Sequence, residues 1–145
     1  MEKGNSGRNA ERTEKCSQDR STLIKAAFSA RENSYSPYSH FRVGAALLCE
    51  NGKVYTGCNI ENRAYGPTNC AERTAFFKAV SEGENSFSAI AIVGGEKEPV
   101  WCYPCGVCRQ VMAEFCSPEK FQIICARSED EYRIFTLKDL LPEMF

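Results

Sequence analysis

No apolar run in this 145-residue sequence approaches the roughly 18 residues of a membrane span, and the first twenty residues are polar and charged, with no short apolar stretch among them. These absences predict a cytosolic protein with no membrane partner. An excess of charge of one sign is missing too: 18 Lys and Arg stand against 19 Asp and Glu, a net charge of -1. Proteins that neutralise a row of phosphates carry a basic excess, so a small-molecule substrate is expected and nucleic acid is not. There is no internal repeat and no low-complexity segment beyond the leader. Histidine occurs once, as His40 in PYSHF, far along the chain from the cysteine motifs described below. It is read as a surface or hydrogen-bonding residue and not as a metal ligand.

Cysteine, by contrast, is plentiful. Nine cysteines, an odd number, in a chain without an export-like segment read as free thiols and metal ligands, because the cytosol keeps thiols reduced. Cys49, Cys58 and Cys125 fall in strand-like apolar surroundings and are read as small buried hydrophobes. An apolar content of 43% is enough to close one core. Residues 1–18 have almost nothing to bury and predict a mobile leader ahead of a single domain over residues 19–145.

Strands and helices alternate along that domain. STLIKAAFSAREN from Ser21 offers Leu23, Ile24, Ala27, Phe28 and Arg31 at helical spacing. Two short apolar runs, VGAALLCE and KVYTGC, flank Asn51-Gly52, which predicts a hairpin. In AERTAFFKAVSEGE the stripe Thr74, Phe77, Ala79 and Val80 predicts a second helix. SAIAIVGG reads as a buried strand. Pro104 is expected to open a third helix, with Val107, Val111, Met112 and Phe115 inward. FQIICAR and YRIFTL read as strands, and LKDLL as a short closing helix. This order implies an α/β fold, a sheet covered by helices on its faces.

Two stretches carry chemistry, NCAERTA at 69–75 and PCGVCRQ at 104–110. Cys105 and Cys108, three residues apart, share the first turn of a helix, where two thiolates bind one ion. Cys70 opens the other motif helix. Three soft sulfurs favour tetrahedral zinc with an open fourth position, the mark of a catalytic site. Three thiolates and one Zn²⁺ sum to -1, and Arg73 and Arg109, each adjoining a ligand motif, are expected to offset that charge. Glu72 follows Cys70 by two residues, about 200° apart in a regular helix. The two side chains converge only if Cys70 is the helix cap, and Glu72 can then shuttle protons beside the metal without ligating it. Cys102 and Cys105 offer a competing pair, but Pro104 is expected to leave Cys102 in the extended approach.

A Cys-x-Glu followed by Pro-Cys-x-x-Cys resembles the zinc deaminases, in which the glutamate is the acid/base. Together PYSHFRVGAAL, GCNIEN, CAERTA, PCGVCRQVM and DLLPEMF resemble the small homotetrameric cytidine deaminases, in order and at similar spacing, over about residues 34–145. The resemblance implies a three-layer α/β/α sandwich with a mixed five-stranded sheet. It implies zinc on Cys70, Cys105 and Cys108, Glu72 as the proton shuttle, and cytidine and 2′-deoxycytidine as substrates. Asn59 and Glu61 would bind the ribose 3′-hydroxyl, Phe41 would line the base and sugar pocket, and the backbone around Ala71 would meet the pyrimidine edge. Phe145 would stack on the base in a neighbouring subunit's site. Where the family commonly has Ser before the Pro-Cys pair, this chain has Tyr103, preceded by Trp101 and Cys102.

Three other readings share parts of the pattern. A nucleic-acid deaminase would use the same metal site, a deaminase of a cytosine-bearing antibiotic is similar in size and motif, and a structural or thiol-redox zinc module would need no Glu72.

Overall fold

The computed structural model describes residues 6–145, with side chains from Asp19 onward. Its elements are α1 (Ser6–Arg31), β1 (Arg42–Cys49), β2 (Val54–Cys58), α2 (Ala71–Ser81), β3 (Phe87–Gly95), α3 (Gly106–Phe115), β4 (Gln122–Ala126), β5 (Tyr132–Thr136) and α4 (Leu137–Leu140). The first helix thus begins at Ser6, well before the expected start at Ser21. Of the expected leader, residues 1–5 lie outside the described residues and residues 6–18 belong to α1.

The five strands form one sheet in the order β2-β1-β3-β4-β5. Only β3 and β4 run parallel, joined by the crossover through α3, and every other pair is antiparallel. The sheet is therefore mixed, as expected. The β1–β2 hairpin turns at Asn51-Gly52, where Gly52 adopts φ 92°, a conformation that a side chain disfavours.

Strand alternation divides the core into two layers. Ala46, Ala89, Ala91, Val93, Ile124 and Ala126 face α1 and pack on its Leu23, Ile24 and Ala27. Their neighbours, among them Leu47, Ile90, Ile92, Ile123 and Cys125, face the opposite layer, where α2 and α3 lie. Phe76 of α2 is fully buried there, at the centre of a ring cluster with Phe87, Phe115 and Phe121 at centroid distances of 5.0, 6.3 and 6.2 Å. Cys49 and Cys125 are buried as expected, and burial pushes the Cys125 thiol up to about 12, whereas Cys58 is only partly buried, with its thiol on the Asn33 oxygen at 3.4 Å. Among the described residues no helix is long and apolar enough to cross a membrane.

The phase of two helices differs from the sequence expectation. In α2 the buried positions are Ala71, Glu72, Ala75, Phe76 and Ala79, whereas Phe77 is half exposed. A cap at Cys70 that turns Glu72 inward fixes this phase, and it carries Phe76 rather than Phe77 into the core. In α3 the helix opens at Gly106, so Pro104 precedes the N-cap Cys105. Val107 then points outward, while Met112 is buried.

Candidate active site

Both motif helices begin at a cysteine. Cys70 is the N-cap of α2, with φ -75° and ψ 155°. Cys105 is the N-cap of α3, and its sulfur accepts the Cys108 N–H at 3.5 Å, taking the place usually filled by a Ser or Asp oxygen. Two helix N-termini thus converge on sulfur, each with unpaired N–H groups and a positive dipole end. The approach of α2 to the sheet depends on Gly57 of β2: a Cβ there would lie 2.4 Å from the Ala71 oxygen and 2.5 Å from the Ala75 nitrogen.

The sulfurs of Cys70, Cys105 and Cys108 all lie within 4.8 Å of one another. Those of Cys70 and Cys105 are 3.7 Å apart. Two sulfurs bound at 2.3 Å to one tetrahedral ion would stand about 3.8 Å apart, so the donor set fits zinc in both type and spacing. Cys102 stays outside this cluster, and burial pushes its thiol up to about 12.

The contact with Cys108, and then Arg73, hold the Cys70 thiol down to about 5 despite its burial. The same contact with Cys70, together with burial, raises Cys108. Arg73 Nη2 donates to the Cys70 sulfur at 3.3 Å. Although burial opposes its charge, the hydrogen bond to Cys70 keeps the guanidinium above its ordinary value. Glu72 is 4% exposed, and its Oε2 lies 3.7 Å from the Cys108 sulfur. Burial, reinforced by the negative Cys70, pushes its carboxyl up to about 7. A carboxyl near neutrality beside a metal-type cluster is poised to take up and return protons.

Arg109 does not share the position of Arg73. Its Nε donates to the Pro104 oxygen and its Nη1 to the Leu140 oxygen, each at 2.7 Å, so it braces α3 against α4. Unlike Arg73, it makes its hydrogen bonds to two backbone carbonyls and, among the described residues, none to sulfur.

A cavity of about 410 Å³ opens beside the cluster, lined by Phe41, Asn59, Glu61, Cys70 and Ala71 together with Tyr38, Ser39 and Tyr65. That volume falls in the range of small-ligand sites, roughly 300–1,000 Å³. Asn59 Oδ1 accepts the Val43 N–H at 2.9 Å and a hydrogen bond from the Ser34 hydroxyl, and its Nδ2 donates to the Phe41 oxygen at 2.7 Å. Glu61 accepts the Tyr38 N–H at 3.0 Å. Phe145 is fully exposed and stands apart from these lining residues. His40 is exposed, with φ 59°, and lies outside the sulfur cluster, as expected.

Several contributors escaped the sequence reading. Trp101 stacks under Arg133, whose guanidinium carbon is 3.9 Å from the ring centroid, and Arg127 lies 5.5 Å away. Arg133 Nη1 also donates to the Tyr103 hydroxyl at 2.6 Å, and Tyr103 meets Phe135 edge-on. The bulky residues before Pro104 are thus fastened to β5. Arg31, buried at the end of α1, donates to the carbonyls of Arg42, Gly95 and Lys97. Cysteine spacing carries no sign of either network.

An α/β/α sandwich with three sulfurs at two helix N-termini and one buried carboxylate beside them defines a zinc-dependent hydrolase of the deaminase type. Residues 17–125 match the family described as the cytidine and deoxycytidylate deaminase zinc-binding region, and the chain belongs to it. It is 53% identical over 127 residues to a cytidine deaminase of Halalkalibacterium halodurans, covering 88% of this chain and 94% of that one. A probable cytidine deaminase of Dictyostelium discoideum is 43% identical over 137 residues, or 94% of this chain and 86% of the relative. The crystal structure of cytidine deaminase from Burkholderia pseudomallei superposes with a TM-score of 0.77 at 48% identity, covering 86% of this chain and 97% of that one. Zinc is accordingly the metal that the three-cysteine cluster fits.

Proposed function

We propose that this chain hydrolyses cytidine and 2′-deoxycytidine to uridine and 2′-deoxyuridine with release of ammonia. The observation that carries the reading is one buried carboxylate, Glu72, set against a three-sulfur cluster whose Cys70 also lines a nucleoside-sized cavity. The named activity of the relatives supports it.

Cys70, Cys105 and Cys108 would hold the zinc, which would supply a water acidified to near-neutral pKa. Glu72 is placed to take one proton from the attacking water and deliver it to ring N3, then to take the second from the resulting C4 hydroxyl and deliver it to the exocyclic nitrogen. The water oxygen ends on C4, the C4–N bond breaks, and nitrogen leaves as ammonia. Arg73 offsets the charge of the thiolates through its bond to Cys70, and Arg109 steadies the Cys105 loop through the Pro104 carbonyl.

Phe41 flanks the base and sugar, the backbone around Ala71 meets the pyrimidine edge, and Asn59 and Glu61 bind the ribose 3′-hydroxyl. Selection on the 3′-hydroxyl admits the 2′-deoxynucleoside, while a 3′-phosphate meets Glu61 with like charge, so nucleotides and polymers are poor substrates. Phe145, solvent-exposed in the single chain, stacks on the base in a neighbouring subunit's site within a homotetramer. Residues 19–145 form the catalytic domain and residues 1–18 a leader, and the enzyme works in the cytoplasm in pyrimidine salvage. Absorbance-monitored deamination of cytidine, with zinc measured on the same sample, tests the reading: zinc-loaded protein that releases no ammonia from cytidine would refute it.

A further inference from the structure

Tyr38, Ser39 and Phe41 of the cavity lining belong to a strap, residues 36–41, held by one carboxylate. Glu61 Oε2 accepts the Tyr38 N–H at 3.0 Å and the Ser39 N–H at 3.2 Å, and Oε1 accepts the Ser39 hydroxyl. The Ser39 N–H also reaches Oε1 at 3.4 Å. The same Ser39 Oγ accepts the Phe41 N–H at 3.0 Å. Between them His40 takes φ 59°, and its own N–H reaches back to the Ser36 oxygen at 3.0 Å. This left-handed turn folds the Phe41 amide onto the serine. One hydroxyl therefore ties two residues of the cavity lining, the acidic Glu61 and the aromatic Phe41.

A carboxylate offers about four acceptor sites. The two amides fill Oε2, whereas Oε1 takes the Ser39 hydroxyl and only the longer 3.4 Å arm of the forked Ser39 N–H, so Oε1 is the oxygen with room for one further donor. Asn59 is held separately, by Ser34 and by the Val43 and Phe41 backbone, so it does not depend on Ser39. The carboxyl of Glu61 is correspondingly held below its ordinary range, first by the Ser39 hydroxyl and then, against desolvation, by the strap amides.

We propose that Ser39 is a positioning residue: by occupying one acceptor site of Glu61 and fixing its orientation, it leaves that carboxylate able to take one sugar hydroxyl and no more. This rests on the reading of Glu61 as the residue that binds the ribose 3′-hydroxyl. Without the serine hydroxyl, Glu61 gains a second open site and loses the tether to Phe41, and the nucleoside meets a carboxylate whose orientation it must itself fix.

The test compares Ser39→Ala with the parent enzyme on cytidine and on 3′-deoxycytidine. Zinc content stays as in the parent and kcat within about twofold, while KM for cytidine rises about tenfold, the size of one hydrogen bond to a charged acceptor. On 3′-deoxycytidine, which has no hydroxyl to place, variant and parent share the same KM within about twofold, and Ser39→Thr, which restores the hydroxyl, recovers the KM for cytidine. An equal rise in KM on both substrates, an unchanged KM on cytidine, a loss confined to kcat, or a Thr variant as impaired as the Ala variant overturns the role of Ser39. A parent protein that does not turn over cytidine instead overturns the functional reading itself.

Discussion

The carboxylate of Glu72 and the sulfur of Cys108 lie 3.7 Å apart, although 36 residues separate them and each belongs to a different helix. The α2 cap at Cys70 and the α3 cap at Cys105 make this meeting possible. It follows that Glu72→Gln, nearly equal in shape, leaves the three sulfurs and the fold in place. Deamination is expected to fall by about 10²–10⁴-fold, the usual contribution of a positioned acid/base, at unchanged zinc content. Turnover within a few-fold of the parent would remove Glu72 from the chemistry.

Cys105 serves its helix as well as the metal cluster, because its sulfur caps the Cys108 amide. Cys105→Ala is therefore expected to abolish stoichiometric zinc and activity together, and also to lower stability by about 0.5–2 kcal/mol of lost capping. Cys105→Ser keeps an oxygen cap and should recover part of that stability while still failing to retain zinc. Metal analysis and thermal melts on the two variants separate these effects.

Gly57 lets β2 and α2 touch backbone to backbone. A methyl group at that position meets the Ala71 oxygen and the Ala75 nitrogen at distances no real contact permits. Gly57→Ala should push α2 outward and destabilise the protein by about 1–3 kcal/mol, with weaker zinc retention because Cys70 moves with the helix. Chemical denaturation with a zinc-release assay reads both.

Glu84 fastens the hairpin to the segment after α2. It accepts from Asn51 Nδ2 at 3.1 and 3.0 Å and pairs with Lys53 Nζ at 3.2 Å. Asn51 first, then Lys53, hold its carboxyl below the ordinary value of 4.5. A carboxyl lowered by folding adds stability that is fully present above pH 4.5 and is lost as pH falls through its folded value. Acid unfolding of Glu84→Gln should accordingly show a shallower loss of stability below pH 4.5 than the parent; superimposable curves would contradict the linkage.

Phe76→Ala should cost about 3–5 kcal/mol, since it empties the centre of the ring cluster, whereas Phe77→Ala, at a half-exposed position, should cost well under 1 kcal/mol. Urea unfolding of both variants checks the helix phase directly. It is also where sequence reasoning erred. The stretch AERTAFFKAV offers two adjacent phenylalanines, and an apolar stripe alone does not choose between them. The choice is made by Glu72, a polar residue that hydrophobic periodicity counts as outward and that the site turns inward.

The strands, their antiparallel hairpin and the cap at Cys70 were legible because each is written locally, in β-forming runs, an Asn-Gly turn and a two-residue offset between cysteine and glutamate. Arg109 was misread because adjacency in sequence to Cys108 says nothing about the Pro104 and Leu140 carbonyls that claim its donors. Ser39 went unnoticed for a similar reason. Its partner Glu61 lies 22 residues away, and a serine in a loop has no signature that distinguishes a brace from a solvated hydroxyl.

The clasp of Arg133 and Arg127 around Trp101 has an optical consequence. The chain contains one tryptophan, so emission excited to the red of tyrosine absorption comes from a single indole, located four residues before Cys105 and gripped by β5 through a guanidinium plane. Any shift of the Cys105 loop against β5 alters that indole's surroundings. The protein thus carries a built-in fluorophore for metal loading and release at the site, readable in the native chain without a label.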